Sequence, residues 1–248
     1  MENSELLKRA EDLRARCEKS CTLTHTNFLT PAESYEISQW GKYKSDCTLL
    51  FSGGRPDSER TVAFFLPYYM DEDSFDISEY ISAMKITAHF GTPVHRDYMG
   101  AILGMGIGRE WLGDISVVDN VAYVLGLPSV LEHLLGIEKV GRCGVRTEKL
   151  ELDRLPVIER KLKKVSFSVM SMRLDAVAAG LFSLSRSECA RQIAEGRLML
   201  NYKETTKSDA PVHEGDILSL RGSGKGQITG TGGSSRKGRL FVYGEIYK

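Results

Sequence analysis

The sequence predicts an α+β chain in three parts, and three observations carry that prediction. Residues 1–72 begin with apolar positions recurring near every 3.6 residues and then turn to two short β-forming runs, which reads as a helical part with a hairpin. Residues 73–152 run strand, helix, strand, strand, helix, strand. After a charged linker at 153–168, residues 169–248 give two short helices and then short strands, a small α+β module.

Taken in order, Leu6, Leu7, Ala10, Leu13 and Cys17 fall on one face of an amphipathic helix over the first twenty residues. A second helix is expected to follow directly. Thr30 and Glu33 have capping-box spacing with Pro31 at the first helical position, and this helix runs to about Trp40. CTLLFSGG and TVAFFLPYY are β-forming runs separated by GGRPDSER, an antiparallel pair with a basic, Gly-rich tip. Beyond Phe75, ISAMKITAHF reads as a strand, DYMGAILGMG as a helix, and DISVV and VAYVL as strands about Asp119-Asn120. LPSVLEHLLG is a helix from Pro128 and KVGRCGVRTEKL a final strand. This βαββαβ order is the ferredoxin-like split motif, which RRM modules share. Of the aromatic side chains with which RRMs stack bases, VAYVL supplies only Tyr123.

Residues 174–181 and 185–195 form the two helices of the last module, with Gly196 as the stop of the second. RLMLNYK, DILSLRG and GRLFVYGEIYK are short strands. GSGKGQITGTGGSSRKG, between the last two, has little to bury and is expected to be a mobile hairpin.

Composition excludes several classes. With 42% hydrophobic and 27% charged residues the chain is an ordinary globular protein, and no apolar run approaches the roughly 20 residues of a membrane span. MENSELLKRAEDLRARCEKS mixes acids and bases throughout, unlike a secretory signal or transit peptide, so a cytoplasmic location is expected. Five scattered cysteines suit reduced thiols. The net charge of zero hides a split. Residues 1–145 hold 14 Lys and Arg against 21 Asp and Glu, a net of −7, and residues 146–248 carry +7. The C-terminal part is the one suited to a polyanion.

The strongest chemical signal lies in that part. Ser185 caps the second helix, whose unpaired N–H groups and positive dipole end favour an anion, and Arg186 in the first turn can pair with a phosphate bidentately. Arg173, Ser187, Arg191, Arg197, Asn201 and Lys203 complete the candidate anion-binding set, with Lys225, Arg236, Lys237 and Arg239 as a flexible second contact. Gly104, Gly106 and Gly108, flanked by Arg96 and Arg109, follow a helix and so do not form a dinucleotide loop; the two arginines are a candidate secondary RNA contact. Cys17, Cys21 and His25 could share a helix face as metal ligands, but no fourth ligand is near, and no metal or cofactor is expected. His95, Asp97 and Asp114 are the residues of a competing reading, an RNA-modifying enzyme with its active site in the acidic N-terminal two thirds. Arg173-Leu174-Asp175 is similar to the RLD motif of pseudouridine synthases, yet only 73 residues follow Asp175.

Arg173, Ser185-Arg186-Ser187, Gly196, Asn201-Tyr202-Lys203, Pro211 and Gly215-Asp216-Ile217 together resemble the S-four-type RNA-binding domain, named after a ribosomal protein. With the SGG-tipped hairpin, the HRD-x-MGAILGMGI-x-RE-xx-GDI stretch and Val140-Gly141-Arg142, the resemblance widens to the YlmH family of bacterial RNA-binding proteins. It implies an RRM-like middle domain and no enzymatic activity or small-molecule substrate. It further implies structured RNA as the ligand, ribosomal and transfer RNA on the large ribosomal subunit, in ribosome-associated quality control of stalled chains.

Overall fold

The computed structural model describes residues 2–40, 46–157, 162–234 and 238–247, the side chains of residues 2–4 excepted. The chain forms two compact units, Met1–Ile158 and Glu159–Lys248, and its fold class is mixed α+β.

In the first unit α1 (Glu2–Ser20), β1 (Thr24–Leu29), α2 (Pro31–Trp40), β2 (Thr48–Ser52) and β3 (Thr61–Leu66) build a sheet ordered β1-β3-β2. The capping box forms as its spacing requires. Glu33 N donates to Thr30 Oγ1 at 3.3 Å, and Thr30 N donates to Glu33 Oε2 at 2.6 Å. Ala10, Cys17, Leu29, Ile37, Ala63 and Phe65 pack between the helices and one face of the sheet. The strand β1 stands where the sequence predicts α2 to follow α1 directly.

The other face of that sheet packs on the rest of the unit. Here β4 (Ser82–Ala88), α3 (His95–Gly104), β5 (Leu112–Val118), β6 (Val121–Gly126), α4 (Pro128–Leu134), β7 (Lys139–Val140) and β8 (Cys143–Leu150) form a sheet ordered β5-β6-β4-β8-β7. That is the strand order of a split βαββαβ unit, with the predicted final strand broken into β7 and β8 at a turn where Gly141 has φ +59°. Met84, Ile86, Ala122 and Val124 pack against α3 and α4 through Tyr98, Ile102, Leu131 and Leu134. On the opposite face Ala83 and Leu125 join Phe28, Val62, Phe64 and Leu66 of the N-terminal sheet in one core. The face on which RRMs stack bases is therefore partly covered by the chain's own N-terminal part. On its remainder Tyr123 is half-buried beside Lys85, whose ammonium lies 3.9 Å from Glu148.

The second unit comprises β9 (Leu162–Val169), α5 (Leu174–Phe182), α6 (Arg186–Ala194), β10 (Leu198–Leu200), β11 (Lys203–Glu204), β12 (Ile217–Leu220), β13 (Gly224–Ser234) and β14 (Leu240–Tyr247). They form a six-stranded sheet ordered β11-β10-β12-β13-β14-β9, packed on α5 and α6 through Val177, Leu181, Ile193, Leu198, Leu218 and Val242. Two expectations fail here. Residues 162–168, assigned to the linker for their charge, form an edge strand paired with β14 over its whole length. The Gly-rich stretch expected to be a mobile hairpin is in large part β13, an interior strand paired with both β12 and β14. Pairing on both sides supplies the order that composition denies it. Among the described residues no helix is long and apolar enough to cross a membrane.

Candidate nucleic-acid interface

The centre of the predicted basic patch is a carboxylate. Asp175, in the first turn of α5, is 5% exposed. Arg186 donates to it from Nε at 3.0 Å and from Nη2 at 3.0 and 3.2 Å, and Arg173 donates from Nε and Nη2, both at 3.3 Å. Burial pushes the Asp175 carboxyl up, but the hydrogen bonds and charges of the two arginines outweigh it and hold the group below its usual range. The arginine side chains remain 41% and 58% exposed. Two guanidinium groups share the Asp175 carboxylate at the N-terminal end of α6, with Asp209 also acting on Arg173, and there Ser185 Oγ accepts from Glu188 N at 3.1 Å. Ser187 turns its hydroxyl to Ser185 Oγ, 3.1 Å away.

The other predicted cations are used unevenly. Arg191 is clasped by Glu188 at 2.7 and 3.1 Å and by Glu195 at 2.8 Å, and Arg197 lies 3.8 Å from Glu195. Arg191 follows Arg186 by five positions, so they project roughly 140° apart around α6. They do not form one face. Asn201 and Tyr202 adopt φ +49° and +65° in the two-residue turn between β10 and β11, which sets Lys203 on the surface. Asn201 itself is structural. Its Nδ2 donates to Asp216 Oδ1 at 2.7 Å, and Ile217 N donates to its Oδ1 at 2.9 Å. Lys225, expected on a mobile tip, instead lies in β13 with its ammonium 5.2 Å from the ring centres of both Tyr202 and Tyr247. Arg239 donates to the hydroxyl and carbonyl oxygens of Ser168 at 3.0 and 2.5 Å. Arg236 and Lys237 lie outside the described residues.

In the first unit the expected basic features turn inward. Arg109 donates from Nη1 to the carbonyls of Leu112 and Gly113 at 3.1 and 2.8 Å, and burial, with nearby Arg60 adding to it, lowers its pKa to about 10. Its Nη1 is thus committed to the backbone. Arg96 is exposed on α3. Arg60, at the end of the predicted basic tip, bonds the carbonyls of Leu112, Phe28 and Arg109 at 2.9 to 3.2 Å, and Arg55 pairs with Asp57. Gly54, at φ +90°, lies against Ile81 and Leu125, so the tip packs on the middle sheet. Gly106, at φ +82°, helps line a shallow groove of about 360 Å³ with Met105, Ile107, Trp111, Val130 and His133.

Of the residues of the enzymatic alternative, His95 is exposed and the two carboxylates bond backbone N–H groups. Asp97 accepts from Val94 N at 2.9 Å, while Asp114 accepts from Glu59 N and Arg60 N at 2.7 and 3.1 Å. The three candidate metal ligands separate because α1 stops at Ser20. Cys17 is buried, its thiol donating to Phe65 O and its pKa raised by burial to about 12, and His25 belongs to β1. Among the described residues no group of three or more His, Cys, Asp or Glu could hold a metal ion. Sequence reasoning placed Asp175 in the helix but missed its part in fixing two arginines. The pairing spans eleven residues and has no local signature.

Residues 71–154 match the family model described as "Putative RNA-binding domain in YlmH". The likeness to known proteins extends beyond that segment. The chain is 28% identical over 224 residues to the "Ribosome-associated protein quality control protein P2" of Bacillus subtilis (strain 168), covering 90% of this chain and 87% of that protein. Its fold is similar to the solved "Cell division protein ylmH from Streptococcus pneumoniae", with TM-score 0.52 and 22% identity, covering 62% of this chain and 93% of that one.

Proposed function

We propose that this chain is a non-enzymatic protein of three parts that grips structured ribosomal and transfer RNA on the large ribosomal subunit, in quality control of stalled translation. The observation that carries this reading is the pair of exposed arginines fixed on buried Asp175 at the start of α6, in the S-four-like module. Such a pair presents phosphate donors without first having to order them. The relative named for ribosome-associated quality control supplies the setting. Lys203 is a further exposed cation of this unit, and Arg191 and Arg197 contribute less because Glu188 and Glu195 already occupy them. Duplex RNA is read through backbone geometry, so low sequence preference and steep salt dependence are expected.

The test is sedimentation with 30S, 50S and 70S particles at low and moderate salt. Arg186→Lys, which keeps a charge beside Asp175 but loses the fork, and Lys203→Ala are expected to weaken co-migration with 50S. Each lost phosphate contact flattens the log–log salt slope by about 0.7 to 0.9. Arg191→Ala should cost less than Lys203→Ala. Association with no particle, while free RNA is still bound, would overturn the ribosomal setting. Unchanged affinity and slope in both variants would remove the patch.

A further inference from the structure

The six-stranded sheet of the second unit has a face that neither α5 nor α6 covers. Side-chain directions identify it. A Cβ built on Gly226 or Gly244 would come within 3.2 or 2.9 Å of Leu181 on α5, so these glycines mark the helix side. Alternate residues of β14, namely Phe241, Tyr243, Glu245 and Tyr247, therefore lie on the opposite face. Phe241 is 40% exposed and Tyr243 46%. The regular pairing with β9 sets Ser168 beside Phe241, Ser166 beside Tyr243 and Lys164 beside Glu245. From the other side β13 brings Gln227 beside Glu245 and Lys225 beside Tyr247, and Arg239 reaches Ser168.

The glycines of β13 have a consequence on this face. Gly230 pairs with Tyr243, and a Cβ on Gly232 would meet the Tyr243 hydroxyl at 3.0 Å and the Phe241 Cβ at 3.3 Å. Glycine there leaves the two rings without a side chain over them from that strand. The result is exposed rings interleaved with Lys164, Lys225 and Arg239 against two acids, Glu245 and Glu214, whose carboxylate lies 3.9 Å from a Cβ built on Gly230, with serine hydroxyls and an amide between them. An apolar protein partner prefers an interface centre depleted of charge. Aromatic faces with flanking cations suit unpaired nucleotides, whose bases stack while their phosphates meet the lysines. Rings two residues apart on a strand recur at roughly 7 Å, about twice the 3.4 Å step of a stacked nucleic-acid strand. Bases seated on successive rings must be unstacked from each other.

We propose that this face is a second RNA site, which binds an unpaired single strand with bases stacked on Phe241 and Tyr243. It rests on the RNA-binding reading above but is independent of the Arg173/Arg186 end. The test uses the full chain, a labelled twelve-nucleotide oligouridine and an RNA hairpin with no free strand, in fluorescence anisotropy. Phe241→Leu/Tyr243→Leu keeps apolar area and removes both rings. It should lower oligouridine affinity at least about fivefold for each ring, with hairpin binding unchanged, while Tyr243→Phe stays within about twofold of the parent. Photocross-linking of 4-thiouridine oligomers should map to residues 240–247, a readout that does not depend on any variant folding. The site is overturned if the double variant binds oligouridine as the parent does, if cross-links map only elsewhere, or if the variant loses self-association instead. A parent that binds the hairpin but not oligouridine overturns this site alone, and one that binds neither overturns the RNA-binding reading as well.

Discussion

Asp175→Asn tests whether the patch is organised from within. The substitution keeps shape but removes the charge that five hydrogen bonds from Arg173 and Arg186 address, and it turns one acceptor into a donor facing guanidinium N–H groups. A charge-assisted hydrogen bond to a buried group contributes about 1.5 to 3 kcal/mol, but both arginines are well exposed and solvent screens them. A loss of about 2 to 3 kcal/mol at pH 7 follows, roughly a 30- to 150-fold rise in local opening. The pH dependence has a fixed sign. Asp175 is held below its usual value in the folded chain, so its contribution is complete above the unfolded pKa of about 3.9 and fades as pH falls through the lower folded value. Both tryptophans, Trp40 and Trp111, lie in the first unit, so their fluorescence is blind to this change. Amide hydrogen exchange across α5 and α6 is the suitable assay. Equal protection in parent and variant at pH 7, or a difference that does not shrink towards pH 3, would refute the reasoning.

Two further substitutions probe the frame. Arg60→Ala deprives the carbonyls of Leu112, Phe28 and Arg109 of a shared donor and should destabilise the first unit by about 2 to 4 kcal/mol. Tryptophan fluorescence would then show a lower melting temperature, and an unchanged one would mean that Arg60 does not join the N-terminal sheet to the middle sheet. Gly180→Ala should destabilise α5 although alanine favours helices by about 1 kcal/mol, because its Cβ would lie 2.1 Å from the Phe167 ring. Exchange on α5 should return towards the parent when Phe167→Leu is added, and a neutral Gly180→Ala would show that the ring moves freely.

What the sequence disclosed depends on whether a local rule governed the element. The capping box at Thr30 and Glu33 is complete within four residues and was legible. The alternation of strand and helix from β4 to β8 was legible too, because each element has its own period. The strand β1 was hidden. In THTNFL the register breaks between His25 and Phe28, and side chains replace parts of the ladder: Thr26 Oγ1 accepts from Ala63 N, and Thr24 Oγ1 donates to Leu13 O. Its burial alternates, but the inward positions Thr24 and Thr26 are polar, so no apolar period of two marks it. The strands β9 and β13 were hidden for opposite reasons. Lysines on β9 suit an edge strand as well as a linker, and the glycines of β13 are strand residues only because both neighbouring strands pair with them.

The candidate site was legible as a charge and illegible as a surface. An excess of seven positive charges in the C-terminal part draws a polyanion from a distance whatever the pairing among side chains. Close contact depends on which donors can leave their present partners. Arg60, bonded through Nε and Nη2, would have to abandon buried carbonyls, and no phosphate repays that. Arg191 would exchange two carboxylates for a phosphate, a trade between like interactions with little net gain. Arg173 and Arg186 can keep Asp175 and still present their outer N–H groups, because a guanidinium has five donors. Affinity therefore resides in what internal pairing leaves over. That remainder follows from pairings both local, as Arg191 with Glu188 and Glu195, and distant, as Asp175 with Arg186, and a count of arginines along the chain does not contain it.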